Sequence, residues 1–257
     1  MAKFLPLHMS RHIVIVFVAL LVISCDEAPT AETGCNSDAA LSTCLSPVQT
    51  PEYYVEQGIK YFRTMESSVP NHVRPNYSDL VIRYEWHPWL LLTGYKRKGL
   101  IDTDIWLKLN PTKYDTIDCK FFEQQPFCRC HVIFDYSGEK CPIYEEFTFN
   151  DQGEITFIEA WSDYPSLIPM EKNDYWAEGE NVNRLSTRVP GLGNEIGRID
   201  ADAPWMTAAA AKDPVLEDLV ERLKDPIGTY IHELMTHAQE VAHGCEKPEG
   251  DEYPYGP

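Results

Sequence analysis

Two glutamates, Glu145 and Glu159, flank a turn whose residues fix how the strands on either side pair. The cluster Asn150-Asp151-Gln152-Gly153 between alternating runs calls for a three-residue loop with Gly153 in the left-handed conformation. Pairing Asn150 with Glu154 then predicts Phe149 opposite Ile155, Phe147 opposite Phe157, Glu145 opposite Glu159 and Ile143 opposite Trp161, all on one face. Two carboxylates held side by side among aromatic rings repel each other and lose solvent. Both effects raise a pKa, the condition for a general acid or base near neutrality. If that end of the sheet opens to water, the same pair is merely hydrated or neutralised by an Arg or Lys.

A second candidate is His87, in the aromatic cluster Tyr84-Glu85-Trp86-His87-Pro88-Trp89. It can serve as a base or orient a ligand, or be a partly buried structural histidine. Tyr84, Trp86, Trp89, Phe147, Phe157 and Trp161 are the candidate lining of an apolar ligand pocket. Other chemistries lose support on spacing. His232-Glu233-Leu234-Met235-Thr236-His237 places its histidines five apart, about 140° around a helix, whereas the zinc-protease pattern needs four. Cys128-Arg129-Cys130 lacks the spacing of structural zinc sites. No GxSxG elbow is present. The expectation is a site without metal or cofactor.

The elements that must position these residues are α and β in mixture. Thr50-Pro51-Glu52 is a helix start, with Thr as N-cap and Pro at the first helical position, and Val55, Ile59 and Phe62 follow at helical spacing. Leu80–Tyr95 reads as strand, 99–109 as a short helix, and 118–136 as containing a further strand, clearest at Cys128–Tyr136. A turn at Ser137–Lys140 pairs Tyr136 with Cys141 and puts Cys128, Cys130, Val132 and Phe134 on the face of Glu145; His131 and Glu146 then face each other on the opposite side. After Asp163, Lys-Asp-Pro occurs at 212–214 and 224–226, each an N-cap followed by Pro, and predicts two helices.

Residues 50–165, and above all Tyr144–Trp161 (YEEFTFNDQGEITFIEAW), resemble the nuclear transport factor 2-like superfamily, which includes SnoaL-like cyclases and ketosteroid isomerases. The resemblance implies an α+β cone, a curved antiparallel sheet wrapped on N-terminal helices with a pocket on its concave face, followed here by a C-terminal helical extension over 166–257. It implies a small, mostly apolar ligand, and either simple binding or cofactor-independent isomerase, cyclase or dehydratase chemistry. Asp102 and Asp104 fall where members of the superfamily place residues of the pocket mouth. A homodimer is compatible with it.

Thirteen uncharged residues, Ile13–Cys25, follow a short basic start with Lys3 and Arg11. That length suits a signal peptide over residues 1–24 better than a membrane span of about 20 residues. Val22-Ile23-Ser24-Cys25 is similar to a bacterial lipobox, so Cys25 is the expected lipidation site and 25–49, which shows no apolar periodicity, a flexible tether. The expected location is the bacterial cell envelope, lipid-anchored to a membrane and facing the periplasm. The alternatives are a cleaved secretory signal and a signal anchor. The formal charge of -18 becomes -20 when residues 1–24, with two positive charges and no negative ones, are removed. Such a surface repels phosphate backbones, so nucleic acid is not an expected partner. Eight cysteines in an exported chain point to disulfides.

Overall fold

The computed structural model describes residues 44–86, 92–108, 113–136, 139–162, 169–171, 173–179, 184–185 and 204–225. The expected signal segment, Cys25, most of the expected tether, His87, Trp89 and the helix expected after Pro226 lie outside them. Among the described residues no helix is long and apolar enough to cross a membrane.

The first helix, α1 (Pro51–Arg63), begins as expected: the Thr50 side chain accepts from Tyr53 N, and Pro51 occupies the first turn. Its buried face is Tyr54, Gln57, Gly58, Tyr61 and Phe62 rather than the aliphatic stripe through Val55 and Ile59, which is only half buried. The tyrosines turn inward because rings offer more area to bury, and Tyr54 stays satisfied by accepting from Val48 N and Gln49 N at 2.9 and 3.1 Å. These contacts also hold the end of the expected tether, where Cys44 N donates to Phe149 O at 3.1 Å.

Six strands form one curved, open sheet in the order β2-β1-β6-β5-β4-β3. They are β1 (Tyr77–Glu85), β2 (Leu92–Tyr95), β3 (Lys113–Phe121), β4 (Cys128–Tyr136), β5 (Glu139–Phe149) and β6 (Ile155–Ser162), with α2 (Lys96–Leu107) between β2 and β3. The class is the expected α+β. The sheet is not wholly antiparallel, since β1 joins β6 in parallel and β2 then pairs with β1. A small ribbon, β7 (Met170–Glu171) with β8 (Asp174–Glu178), follows, and then α3 (Pro204–Ala210) and α4 (Pro214–Lys224). Asp213 caps α4 through Val215 N at 2.9 Å, as the Lys-Asp-Pro pattern predicts.

The hairpin loop forms as read, with Gly153 at φ 76° and Asn150 N donating to Glu154 O at 2.9 Å. Beyond the first pair the register differs. Phe149 opposes Ile155, but Thr148 opposes Phe157, so Thr156 is an extra residue on β6, a β-bulge. Its hydroxyl donates to Thr148 O at 3.3 Å. From there every residue of β6 is displaced by one: Glu146, not Glu145, faces Glu159, and Tyr144, not Ile143, faces Trp161. On the other side of β5 the connection is two residues shorter than expected, pairing Tyr136 with Glu139 and Phe134 with Cys141. A shift of two preserves faces, so Cys128, Cys130, Val132 and Phe134 remain on the Glu145 side.

Each face of the sheet carries its own core. The α1 and α2 side packs Tyr54, Tyr61, Phe62, Phe127, Phe147 and Phe149 with Ile158 and Leu100. The opposite side packs Ile82, Tyr84, Trp86, Phe157 and Trp161 against Leu185, Met206 and the apolar face of α4. The bulge creates this division, because it sends Phe157, Glu159 and Trp161 to the side that the C-terminal extension covers.

Candidate functional site

Under the helices, buried polar side chains gather around Arg83. Arg83, on β1, and Glu145, on β5, share a face, and between them on β6 lie Ile158 and Ala160. The small Ala160 separates the two glutamates, Glu85 and Glu145, that pair with it from either side. Arg83 Nη2 donates to Glu145 Oε1 at 2.6 Å, and Nη1 donates to Glu85 Oε2 at 2.8 Å. Glu145 is 1% exposed. Burial raises its pKa to about 7, opposed by Arg83's charge and hydrogen bond and assisted by Glu85. A guanidinium facing two carboxylates leaves one negative charge uncompensated in a dry place, and a proton on one carboxyl relieves it.

Asp104, on α2, is the second member. It accepts from the Tyr77 hydroxyl at 3.3 Å, and burial raises its carboxyl to about 7 against the lowering effects of Tyr77, Arg83, Lys108 and Arg74. Unlike Glu145 it also lines a shallow indentation, with room for about one water molecule, together with Thr64, Val73, Arg74, Ile101 and Ile105. Lys108 strap-like crosses its rim, donating to Val69 O at 2.5 Å and Asn71 Oδ1 at 2.9 Å. Of the acids placed at a pocket mouth by resemblance, Asp104 faces inward while Asp102 is an exposed partner of Lys98.

Glu159 belongs to the other face. It is 2% exposed and accepts from Trp86 Nε1 at 2.8 Å and from Leu185 N. Burial raises its pKa to about 8, with the charge of neighbouring Glu146 adding to the rise. Glu146 is ionically satisfied: Arg184 donates to both its oxygens at 2.8 and 2.7 Å, and Arg129 approaches at 3.5 Å. Glu178 bridges the same two arginines at 2.7 and 2.9 Å. This cluster fastens residues 184–185 to the sheet.

The expected pairing of Glu145 with Glu159 is therefore corrected by the bulge at Thr156: the two lie on opposite faces, and burial, not mutual repulsion, raises each. The expected common pocket is corrected for the same reason. Phe147 belongs to the α1 side, whereas Tyr84, Trp86, Phe157 and Trp161 are packed beneath the extension. Trp89 and His87 fall outside the described residues. His131 opposes Tyr144 rather than Glu146 and is buried, its ring stacked on Tyr175 at 3.8 Å; burial lowers its pKa. Sequence reasoning passed over Arg83 and Arg184. Arg83 had a signal, since it alternates with Glu85 in a strand, which puts opposite charges on one face.

Three cysteines meet beneath α1. Cys119 and Cys130 are cross-strand partners joined by a disulfide, and Cys128 is a buried free thiol whose Sγ lies 3.8 Å from that of Cys130.

No protein-family model matches the chain, and no curated protein does. Among solved structures, one similar chain is a SnoaL-like family protein from Agrobacterium tumefaciens, at 11% identity and a TM-score of 0.35, covering 44% of this chain and 98% of that one. That degree of likeness carries no statement about activity.

Proposed function

We propose that the protein is an exported, lipid-anchored domain that binds a small, mostly apolar molecule bearing a polar group at the indentation over Asp104. The observation that carries this reading is the position of Asp104: a carboxyl raised to about 7 that is hydrogen-bonded to buried Tyr77 and lines an opening walled by Val73, Ile101 and Ile105. A carboxyl of that pKa donates or accepts a hydrogen bond with equal ease near neutrality, so it can hold either a hydroxyl or a carbonyl. It can also move a proton if the bound molecule has an acidic C–H or a leaving hydroxyl. As it stands the indentation has room for about one water molecule, so binding requires Lys108 to release Val69 and Asn71.

Export is supported by the uncharged run ending at Cys25 and by the Cys119–Cys130 disulfide, which suits an oxidising compartment. A second reading, a non-catalytic accessory lipoprotein, is favoured by the rings of Tyr54, Tyr61, Phe62 and Phe147 that fill the α1 side of the sheet. A fragment screen read on isoleucine and valine methyl signals separates the two. Binding is expected to shift Val73, Ile101 and Ile105 and to weaken at least about tenfold in Asp104→Asn, the loss of one charge-assisted hydrogen bond. Fragments that leave those methyls unmoved, or that bind Asp104→Asn equally well, would refute the site and leave the accessory reading.

A further inference from the structure

The cysteines under α1 are arranged as a triangle closed over by backbone. Cys119 Sγ, Cys128 Sγ and Cys130 Sγ all lie within 4.8 Å of one another. Cys128 and Cys130 are fully buried, and Cys119 is half buried on β3, the edge strand. Gly58 roofs them: a Cβ there would lie 2.7 Å from Cys128 Sγ, 2.7 Å from Cys130 Sγ and 3.3 Å from Cys119 Sγ. The disulfide uses two of the three sulfurs and leaves the third against them.

A resolving thiol would need a different geometry. Attack on Cys130 with Cys119 leaving runs along the S–S axis, which would hold Cys128 about 6 Å from Cys119. The observed limit of 4.8 Å excludes that line. A triangle suits a chelate instead. Metal–thiolate bonds of about 2.3 Å, 120° apart, place sulfurs about 4 Å from one another, and Cys128 already stands 3.8 Å from Cys130.

We propose that, once the Cys119–Cys130 disulfide is reduced, Cys119, Cys128 and Cys130 form a three-thiolate site for a soft, thiophilic metal ion, best matched by Cu(I). A dithiol supplies the two electrons that break the S–S bond and leaves as its own cyclic disulfide, its two protons passing to Cys119 and Cys130. Metal binding then displaces thiol protons to solvent. Cys119, on the open edge of the sheet, is the side from which reductant and metal reach the cluster. The donor set chooses the ion: three soft sulfurs, with no fourth ligand in the group among the described residues, suit Cu(I), whereas zinc asks for a tetrahedron. The closed disulfide is the resting state in an oxidising compartment, so metal capture follows reduction.

The test uses the full chain, reduced anaerobically with dithiothreitol, freed of thiol and titrated with the acetonitrile complex of Cu(I) against a chromogenic Cu(I) chelator. Cys35→Ser, which keeps all three cysteines of the cluster, is the control. Cys128→Val and Cys119→Ser are each expected to weaken Cu(I) binding by more than about 100-fold, beyond what loss of an outer-shell partner produces, while Cys35→Ser competes like the wild type. The wild-type complex at one equivalent should show three sulfur neighbours in X-ray absorption. Valine suits the buried apolar position of Cys128, and circular dichroism melts establish that both variants fold. Wild-type affinity in Cys128→Val, or a two-sulfur shell in the wild-type complex, would overturn the site, and the wild-type spectrum decides even if a variant does not fold.

Discussion

Glu159→Gln isolates the cost of burying a carboxyl under the extension. The amide keeps the side-chain shape and its oxygen can still accept from Trp86 Nε1 and Leu185 N. In the wild type the pKa rises from 4.5 to about 8, chiefly through burial. A carboxyl whose folded pKa lies above its unfolded value stabilises the fold fully below the unfolded value, and that contribution is lost as pH rises through the folded one. Between pH 4.5 and 8 the loss amounts to about 5 kcal/mol if the folded structure stays closed, since each pKa unit is about 1.4 kcal/mol. Water entering around residues 184–185 reduces it, so an observable difference of about 2–5 kcal/mol is expected. Urea unfolding of both proteins at pH 5, 7 and 9 should show near-equal stability at pH 5, and Glu159→Gln ahead by about 2 kcal/mol or more at pH 9. Glu145→Gln gives the contrast, because neutralising Glu145 also weakens its hold on Arg83, and its gain at pH 9 should be smaller. Parallel stability curves for Glu159→Gln and wild type across this range would show that Glu159 ionises without penalty and that its burial has been misjudged.

Arg83→Leu leaves Glu85 and Glu145 buried without their cation, and should cost about 3–5 kcal/mol by urea unfolding near pH 8, falling toward pH 5 as Glu145 takes up a proton. Gly58→Ala drives a methyl against the three sulfurs and should lower stability by about 1–3 kcal/mol, read in thermal melts; an unchanged melting temperature would mean α1 shifts freely over the sheet. Cys25→Ser should move the protein from the membrane fraction to the soluble fraction or leave it unprocessed. Identical fractionation and N-terminal mass would reject lipidation at that residue.

The mixed α+β class and the hairpin loop were readable because each rests on local chemistry: Thr50 before Pro51, and Asn150 three residues before Gly153. The face assignment on β6 was not. The sequence Glu154-Ile155-Thr156-Phe157 carries no local mark of a bulge. Alternation read straight through it put Glu159, Phe157 and Trp161 on the wrong side of the sheet. What decides in favour of the bulge is the partner on each face. Displaced by one, the three meet Leu185, Met206 and α4, which stand 24 or more residues away in the chain. Asp104 was partly legible as a mouth residue, but its pairing with Tyr77 needed the packing of α2 on β1. Glu145 kept the face predicted for it, because the shorter turn before β5 shifted pairing by an even number of residues.

The proposed function requires Asp104 to be a near-neutral carboxyl at an opening, held by Tyr77 and available to a ligand. Carbon-detected NMR of the aspartate carboxyls over pH 3 to 9, in wild type and Tyr77→Phe, measures it directly. An Asp104 midpoint near 7 is expected, in keeping with burial as the leading cause, and a higher midpoint in Tyr77→Phe, because the lost hydroxyl had favoured the ionised form. A midpoint near 4 that Tyr77→Phe leaves unchanged would contradict it, making Asp104 an ordinary solvated side chain at an idle indentation.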